Sequence, residues 1–185
     1  NYQNKQLFAE DVPLNEVAKK YGTPAYVYSR ATLERHAKAY TESFNSMNGL
    51  VCFSVKALSN ISILKILKNC GCGFDIVSGG ELHRVLLAGA DPKKIIFSGV
   101  GKSKAEMSAG IKNKILSFNI ESESELIQLE KVAAEMGKTA PVAIRFNPGV
   151  DAGVHEFTKT GRKSDKFGVS INKAMQLSAY CIKSK

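Results

Sequence analysis

Lys56 stands where a lysine is hardest to explain. It closes the run Val51-Cys52-Phe53-Ser54-Val55-Lys56, whose β-branched and aromatic residues read as a buried strand, and the turn formers Ser59-Asn60 follow. An ammonium at the end of such a strand either reaches solvent along its aliphatic stem or is kept for chemistry, because burying it unpaired is costly. Asp75 repeats the oddity within Phe74-Asp75-Ile76-Val77, and Arg145 does so within Ile144-Arg145-Phe146-Asn147-Pro148. A carboxylate on the neighbouring strand is either half of a structural ion pair or a group that manages the protonation of the lysine. A guanidinium inside a parallel strand is costly unless it meets an anion or a polar ligand. Glu81, just after Ser78-Gly79-Gly80, opens a helix and could simply favour its dipole.

The elements that must position these residues alternate along the chain. Strands are expected at residues 51–56, 74–77, 95–98, 115–120 and 142–147, and helices at 61–69, 81–88, 104–112, 123–136 and 172–182. Gly71, Gly89 and Gly137 end three of the helices. Such alternation is the mark of parallel β/α architecture. The strands are short and nearly all apolar, as strands buried on both faces are. Polar and Gly-rich residues collect at the strand carboxyl ends, the face on which β/α barrels build their sites. An open doubly wound sheet, with its ligand in a crevice between strands, is the alternative. A complete barrel needs eight units and about 250 residues. Counted from Val51, five units are expected, so either the sheet is open or the chain covers part of a barrel. Residues 1–30 stand apart: residues 12–18 have helical spacing behind Pro13, and residues 25–28 read as a short strand after Pro24. Ser29, with Thr32 three residues on, caps a helix running to about Phe44.

Composition narrows the function classes. The 185 residues are 44% hydrophobic and 23% charged, ordinary for a globular domain. No apolar run approaches the roughly 20 residues that cross a bilayer, and no secretory leader opens the chain, so a cytoplasmic setting is the simplest expectation. Asn1 in place of Met fits an excerpt of a longer product. The net charge of +9 comes from lysines dispersed in twos, as at Lys19-Lys20 and Lys93-Lys94, and not from a basic stripe interleaved with aromatics. That argues against nucleic acid and leaves an anionic ligand or solubility as its meaning. Cys52, Cys70, Cys72 and Cys181 form no zinc spacing and read as reduced thiols. Gly99-Val100-Gly101-Lys102-Ser103 ends like a phosphate-cradling loop, but Ile96 stands where that pattern needs glycine. Gly71 and Gly73 open a dinucleotide fingerprint that Ile76 breaks. With no metal cluster and no Ser-His-Asp arrangement, Schiff-base chemistry at Lys56 is the best reading, with carbonyl compounds that include pyridoxal phosphate.

Several ordered strings carry a resemblance. They are Phe53-Ser54-Val55-Lys56-Ala57-Leu58-Ser59-Asn60, Gly73 to Leu82, Ile96 to Lys102, Phe118 to Ser122, Arg145 to Ala152, Thr160-Gly161 and Lys166-Phe167-Gly168. In order and spacing they resemble the barrel-type (fold type III) pyridoxal-phosphate-dependent amino-acid decarboxylases, and most closely the diaminopimelate decarboxylase family. The resemblance covers nearly the whole chain. It implies an α/β fold, a parallel (β/α)8 TIM-type barrel of the alanine racemase kind, of which about five β/α units are present. Residues 31–185 would be the incomplete barrel, and residues 1–30 would lead into it from a β domain. Lys56 would hold pyridoxal 5'-phosphate and later act in proton transfer. Asp75 and Arg145 would bind the cofactor, Arg145 beside its ring, and Glu81 would stand close behind them. His155 matches a family position and reads as a loop-structuring residue.

The implied reaction is decarboxylation of meso-2,6-diaminopimelate to L-lysine and carbon dioxide. The alternatives are a relative acting on arginine, ornithine or carboxynorspermidine, or a cofactor-binding relative without turnover. The resemblance also implies a homodimer with shared active sites, no nucleic-acid or membrane partner, and a phosphate loop, substrate-binding residues and β domain beyond Lys185. The 185-residue chain by itself is therefore expected to be inactive. Leu58 departs from the Asn usual in the lysine motif of the family.

Overall fold

The computed structural model describes residues 1–150 and 167–184 and opens on strands that sequence pattern does not reveal. β1 (Tyr2–Gln3), β2 (Gln6–Ala9) and β3 (Val12–Pro13) form a three-stranded antiparallel sheet. Strands this short carry no readable alternation, and their turns place Asn4, Lys5 and Glu10 at positive φ where glycine would have been the signal. α1 (Leu14–Tyr21) follows Pro13 and stops at Gly22, as expected. The strand expected at residues 25–28 does not form. Tyr26 is 91% exposed, and no described strand lies alongside to take up the backbone hydrogen bonds, so β-propensity alone fails. α2 (Arg30–Phe44) begins on Ser29, whose Oγ accepts the Thr32 N–H at 3.0 Å. Glu10 reaches over to accept the Ala31 N–H and the Ser29 hydroxyl, both at 2.9 Å, and ties the small sheet to this helix.

The main sheet pairs β4 (Cys52–Ser54), β5 (Gly73–Ile76), β6 (Ile95–Phe97), β7 (Ser117–Ile120) and β8 (Val142–Ile144) in sequence order, all parallel. α3 (Ile61–Asn69), α4 (Gly79–Leu87), α5 (Lys104–Asn113) and α6 (Glu123–Glu135) fill the crossovers, and α7 (Ile171–Lys183) follows. Strand order in a doubly wound sheet reverses; here it never does, so the sheet is an arc of a β/α barrel. Each crossover helix starts on a side-chain cap, from Asn60, Ser78, Ser103 and Ser122 in turn. No helix among the described residues is long and apolar enough to cross a membrane. All four cysteines are free thiols, as expected.

Register separates the two faces of this arc. Phe74 and Ile76, Ile95 and Phe97, and Phe118 and Ile120 are buried beneath the helices with Leu64, Val85, Met107 and Leu129. Phe97 and Phe118 stack with ring centroids 6.0 Å apart. The opposite face carries Ser54, Asp75, Ile96, Ser117 and Asn119, all half-buried, and the exposed Ala143. The strands are therefore not equally covered on both faces, contrary to their apolar composition. Each contributes only one or two residues to the open face, too few for alternation to register in the sequence.

Gly110 lets α5 lie directly on the Phe118 ring: a Cβ there would stand 2.5 Å from Phe118 Cζ. Gly110→Ala should gain about 1 kcal/mol of helix propensity. It must also displace a buried, stacked ring, an overpacking cost of about 1–3 kcal/mol. The expected outcome is a net loss of stability, read as a lower urea midpoint with unchanged slope. An equal or higher midpoint would mean that the ring moves aside freely.

Candidate active site

Lys56 does not end a strand. β4 stops at Ser54, and Lys56 occupies the middle of a one-turn 3₁₀ helix, Val55–Ala57. Val55 is fully buried and anchors that turn, which leaves the lysine exposed above the strand end. A cavity of about 460 Å³ opens there, at the carboxyl ends of the five strands. Lys56, Asp75 and Arg145 all line it, together with Ser98, Asn119 and Glu121. The three residues singled out from the sequence thus share one site. Glu81 does not line it: its Oε2 accepts the Val77 N–H at 2.8 Å, and its own N–H donates to Ser78 Oγ at 3.2 Å, so it closes the first turn of α4 behind the cavity wall. His155 lies outside the described residues.

Asp75 is not half of an ion pair with Lys56. Pairing sets it level with Ser54, two residues before the lysine, and among the described residues no hydrogen bond or ion pair joins the two. Its Oδ1 instead accepts the Ser98 hydroxyl at 2.5 Å, and Ser98 Oγ accepts Asn119 Nδ2–H at 2.9 Å. One polar side chain at each of three successive strands thus joins a single chain of hydrogen bonds. Beside it, burial first and the Asp75 charge second push the Cys52 thiol up to about 11. Cys52 therefore stays a thiol at neutral pH.

Arg145, just past β8, meets an anion supplied by the chain itself. Its Nη1 donates to both carboxylate oxygens of Glu121, at 3.0 and 3.1 Å, and its guanidinium carbon lies 4.9 Å over the Phe167 ring. Glu121 is 3% exposed. Its Oε1 also accepts the Gly99 N–H at 3.0 Å, and its Oε2 accepts the Gly168 N–H at 3.2 Å. Gly99 takes φ +99°, a conformation L side chains avoid, in presenting that N–H. Behind Glu121, Glu125 accepts the Glu121 N–H at 2.9 Å and Lys102 Nζ at 2.5 Å. Lys102 Nζ donates further to Gly99 O at 2.7 Å and Asn119 O at 2.8 Å, and its side chain is 1% exposed.

Sequence reasoning missed Glu121, Glu125 and Lys102. Glu121 and Glu125 flank a helix start, where acids are common for the dipole, and Lys102 belonged to a loop dismissed as a failed phosphate cradle. The available signal was position: all three follow the carboxyl ends of adjacent strands. The site as built combines an amine unpartnered among the described residues, a carboxylate held by a hydroxyl that an amide steadies, and a guanidinium fixed through one nitrogen. That set suits a small ligand bearing a carbonyl and anionic groups.

Residues 30–185 match the family model described as pyridoxal-dependent decarboxylase, pyridoxal binding domain. The diaminopimelate decarboxylase of Vibrio cholerae is 53% identical over 178 residues, which cover 96% of this chain and 43% of that protein. The Haemophilus influenzae enzyme of the same name is 51% identical over 176 residues, 95% of this chain and 42% of that protein. The chain thus spans less than half the length of these curated relatives. The crystal structure of diaminopimelate decarboxylase from M. jannaschii in co-complex with L-lysine is similar with a TM-score of 0.89 and 34% identity, covering 100% of this chain and 44% of that one. The five-stranded arc corresponds to part of the barrel in such structures. The cavity at its strand ends lies in a chain that belongs to the pyridoxal-dependent decarboxylases, residues 30–185 being the pyridoxal-binding domain.

Proposed function

We propose that the complete protein is a diaminopimelate decarboxylase, which removes carbon dioxide from meso-2,6-diaminopimelate to give L-lysine with pyridoxal 5'-phosphate as cofactor. The observation that carries the reading is the Lys56 amine, unpartnered among the described residues, on a cavity it shares with Asp75 and Arg145. Relatives about half identical in sequence bear the name, and the M. jannaschii structure holds L-lysine.

The residues present fit the cofactor. No protein acceptor has to be released before the Lys56 amine bonds to an aldehyde. The cavity, about 460 Å³, falls in the range of roughly 300–1,000 Å³ usual for small-molecule sites. When bound, the pyridine ring supplies an electron sink for the charge left by the departing carboxylate. Lys56 would hold the cofactor through Nζ, and the same nitrogen, when free, would carry a proton. Asp75 would serve the transfer of that proton through the carboxylate it presents to the same cavity; Ser98 donates to one of its oxygens, and Asn119 steadies Ser98 in turn. Arg145 offers its Nη2 and Nε donors, which no described residue takes up, beside the ring. Glu81 acts indirectly, through the Val77 backbone in the cavity wall.

Three further parts of the reading have separate support. The small sheet β1–β3, distinct from the main one, supports residues 1–30 as the link from a β domain into the barrel. Four free thiols support a cytoplasmic location. The family resemblance supports a homodimer with shared active sites.

With full-length protein and pyridoxal phosphate, borohydride reduction should fix a pyridoxyl group on Lys56, and meso-diaminopimelate should release carbon dioxide. Lys56→Ala should lose both. Trapping accompanied by turnover of arginine, ornithine or carboxynorspermidine alone would move the substrate assignment; trapping with no turnover at all would leave a cofactor-binding relative. Asp75→Asn keeps an acceptor for Ser98 but removes the charge. It is expected to lower kcat by about 100-fold, the scale of a lost proton-managing group, with KM little changed. An unaltered kcat would reduce Asp75 to a structural link.

A further inference from the structure

Lys102 is charged, buried and unused by the chemistry above. Its three acceptors, Gly99 O, Asn119 O and Glu125 Oε1, belong to the end of β6, to β7 and to α6. Each bears on the seat of Arg145. The Gly99 N–H donates to Glu121 Oε1. Asn119 is two residues before Glu121 on β7. The second oxygen of Glu125 accepts the Glu121 N–H. The contacts of Lys102 therefore close a ring around Glu121, and Glu121 grips Arg145 with both oxygens. Within this group Lys102, Glu121 and Glu125 have side chains at most 6% exposed, whereas Arg145 is 38% exposed on the cavity.

A buried ion pair of this kind adds little net stability over well-packed apolar residues of similar size. What it supplies is geometry: three directional bonds from one nitrogen hold two strand ends and a helix start in a single arrangement. The same burial rules out a phosphate role for this nitrogen, because its donors are already spent on protein acceptors.

We propose that Lys102 is a positioning residue for Arg145, fixing the ends of β6 and β7 so that Glu121 presents the guanidinium to the bound cofactor. This deepens the cofactor reading and rests on it. Removing one charge alone would strand the other in the core, so the test variant is Lys102→Met/Glu125→Gln, which neutralises the pair while Gln keeps an oxygen for the Glu121 N–H.

The readout is the dissociation constant of pyridoxal phosphate from full-length protein, followed by absorbance, with thermal melting measured in parallel. Binding should weaken about tenfold, the size of one charge-assisted hydrogen bond. Arg145→Gln should weaken it similarly, and combining the changes should add little, because both act through one guanidinium. Leu129→Ala, a core truncation on the buried face of α6, should lower the melting temperature and leave the dissociation constant unchanged. Unweakened binding in Lys102→Met/Glu125→Gln, or losses that simply add to those of Arg145→Gln, would overturn the proposal alone. Wild-type protein that binds no pyridoxal phosphate would overturn the cofactor reading along with it.

Discussion

A carboxylate at 3% exposure has to be neutralised, and much of the site follows from how Glu121 meets that demand. Burying an ionised group costs several kcal/mol unless its oxygens are fully engaged. Here two backbone N–H groups and a guanidinium engage them: Gly99 just past β6, Arg145 just past β8, and Gly168 ahead of α7. The barrel arc brings the two strand ends together; the carboxylate then dictates where they stop. Arg145 sits on the cavity because Glu121 holds it, and Glu121 keeps its place because Glu125 and Lys102 hold the chain behind it.

Against this background the state of Lys56 acquires its meaning. Of the charged residues that line the cavity, Asp75, Glu121 and Arg145 each have a partner within the chain, and Lys56 has none among the described residues. Pairing elsewhere in the site is what keeps it so, since a loose carboxylate nearby would capture the amine. Asp75 is the obvious rival, and the Ser98 hydroxyl and the register of β5 against β4 together hold it short of the lysine.

The barrel pattern was legible because it is written in long-range repetition. Five alternations of strand and helix, the helix-ending Gly71, Gly89 and Gly137, and polar residues after the strands all point the same way. Lys56, Asp75 and Arg145 stood out because each charge interrupts an apolar run. Glu121, Glu125 and Lys102 interrupt nothing; they occupy loops and helix starts where charges are ordinary, and only the fold turns them inward. The small N-terminal sheet was illegible for another reason, since two-residue strands have no period to detect, while the expected strand at residues 25–28 had the right residues and no neighbour.

The two-faced arc has a consequence for how this sequence tolerates change in length. In β5, Phe74 and Ile76 face the helices and Asp75 faces the opposite way. Inserting or deleting one residue there would exchange the faces, driving the carboxylate among the aromatic rings and a phenyl group toward the lysine. Chemistry and core would be lost in the same event, though no side chain had been altered. A single added residue in the turn between α6 and β8 would leave both faces in phase.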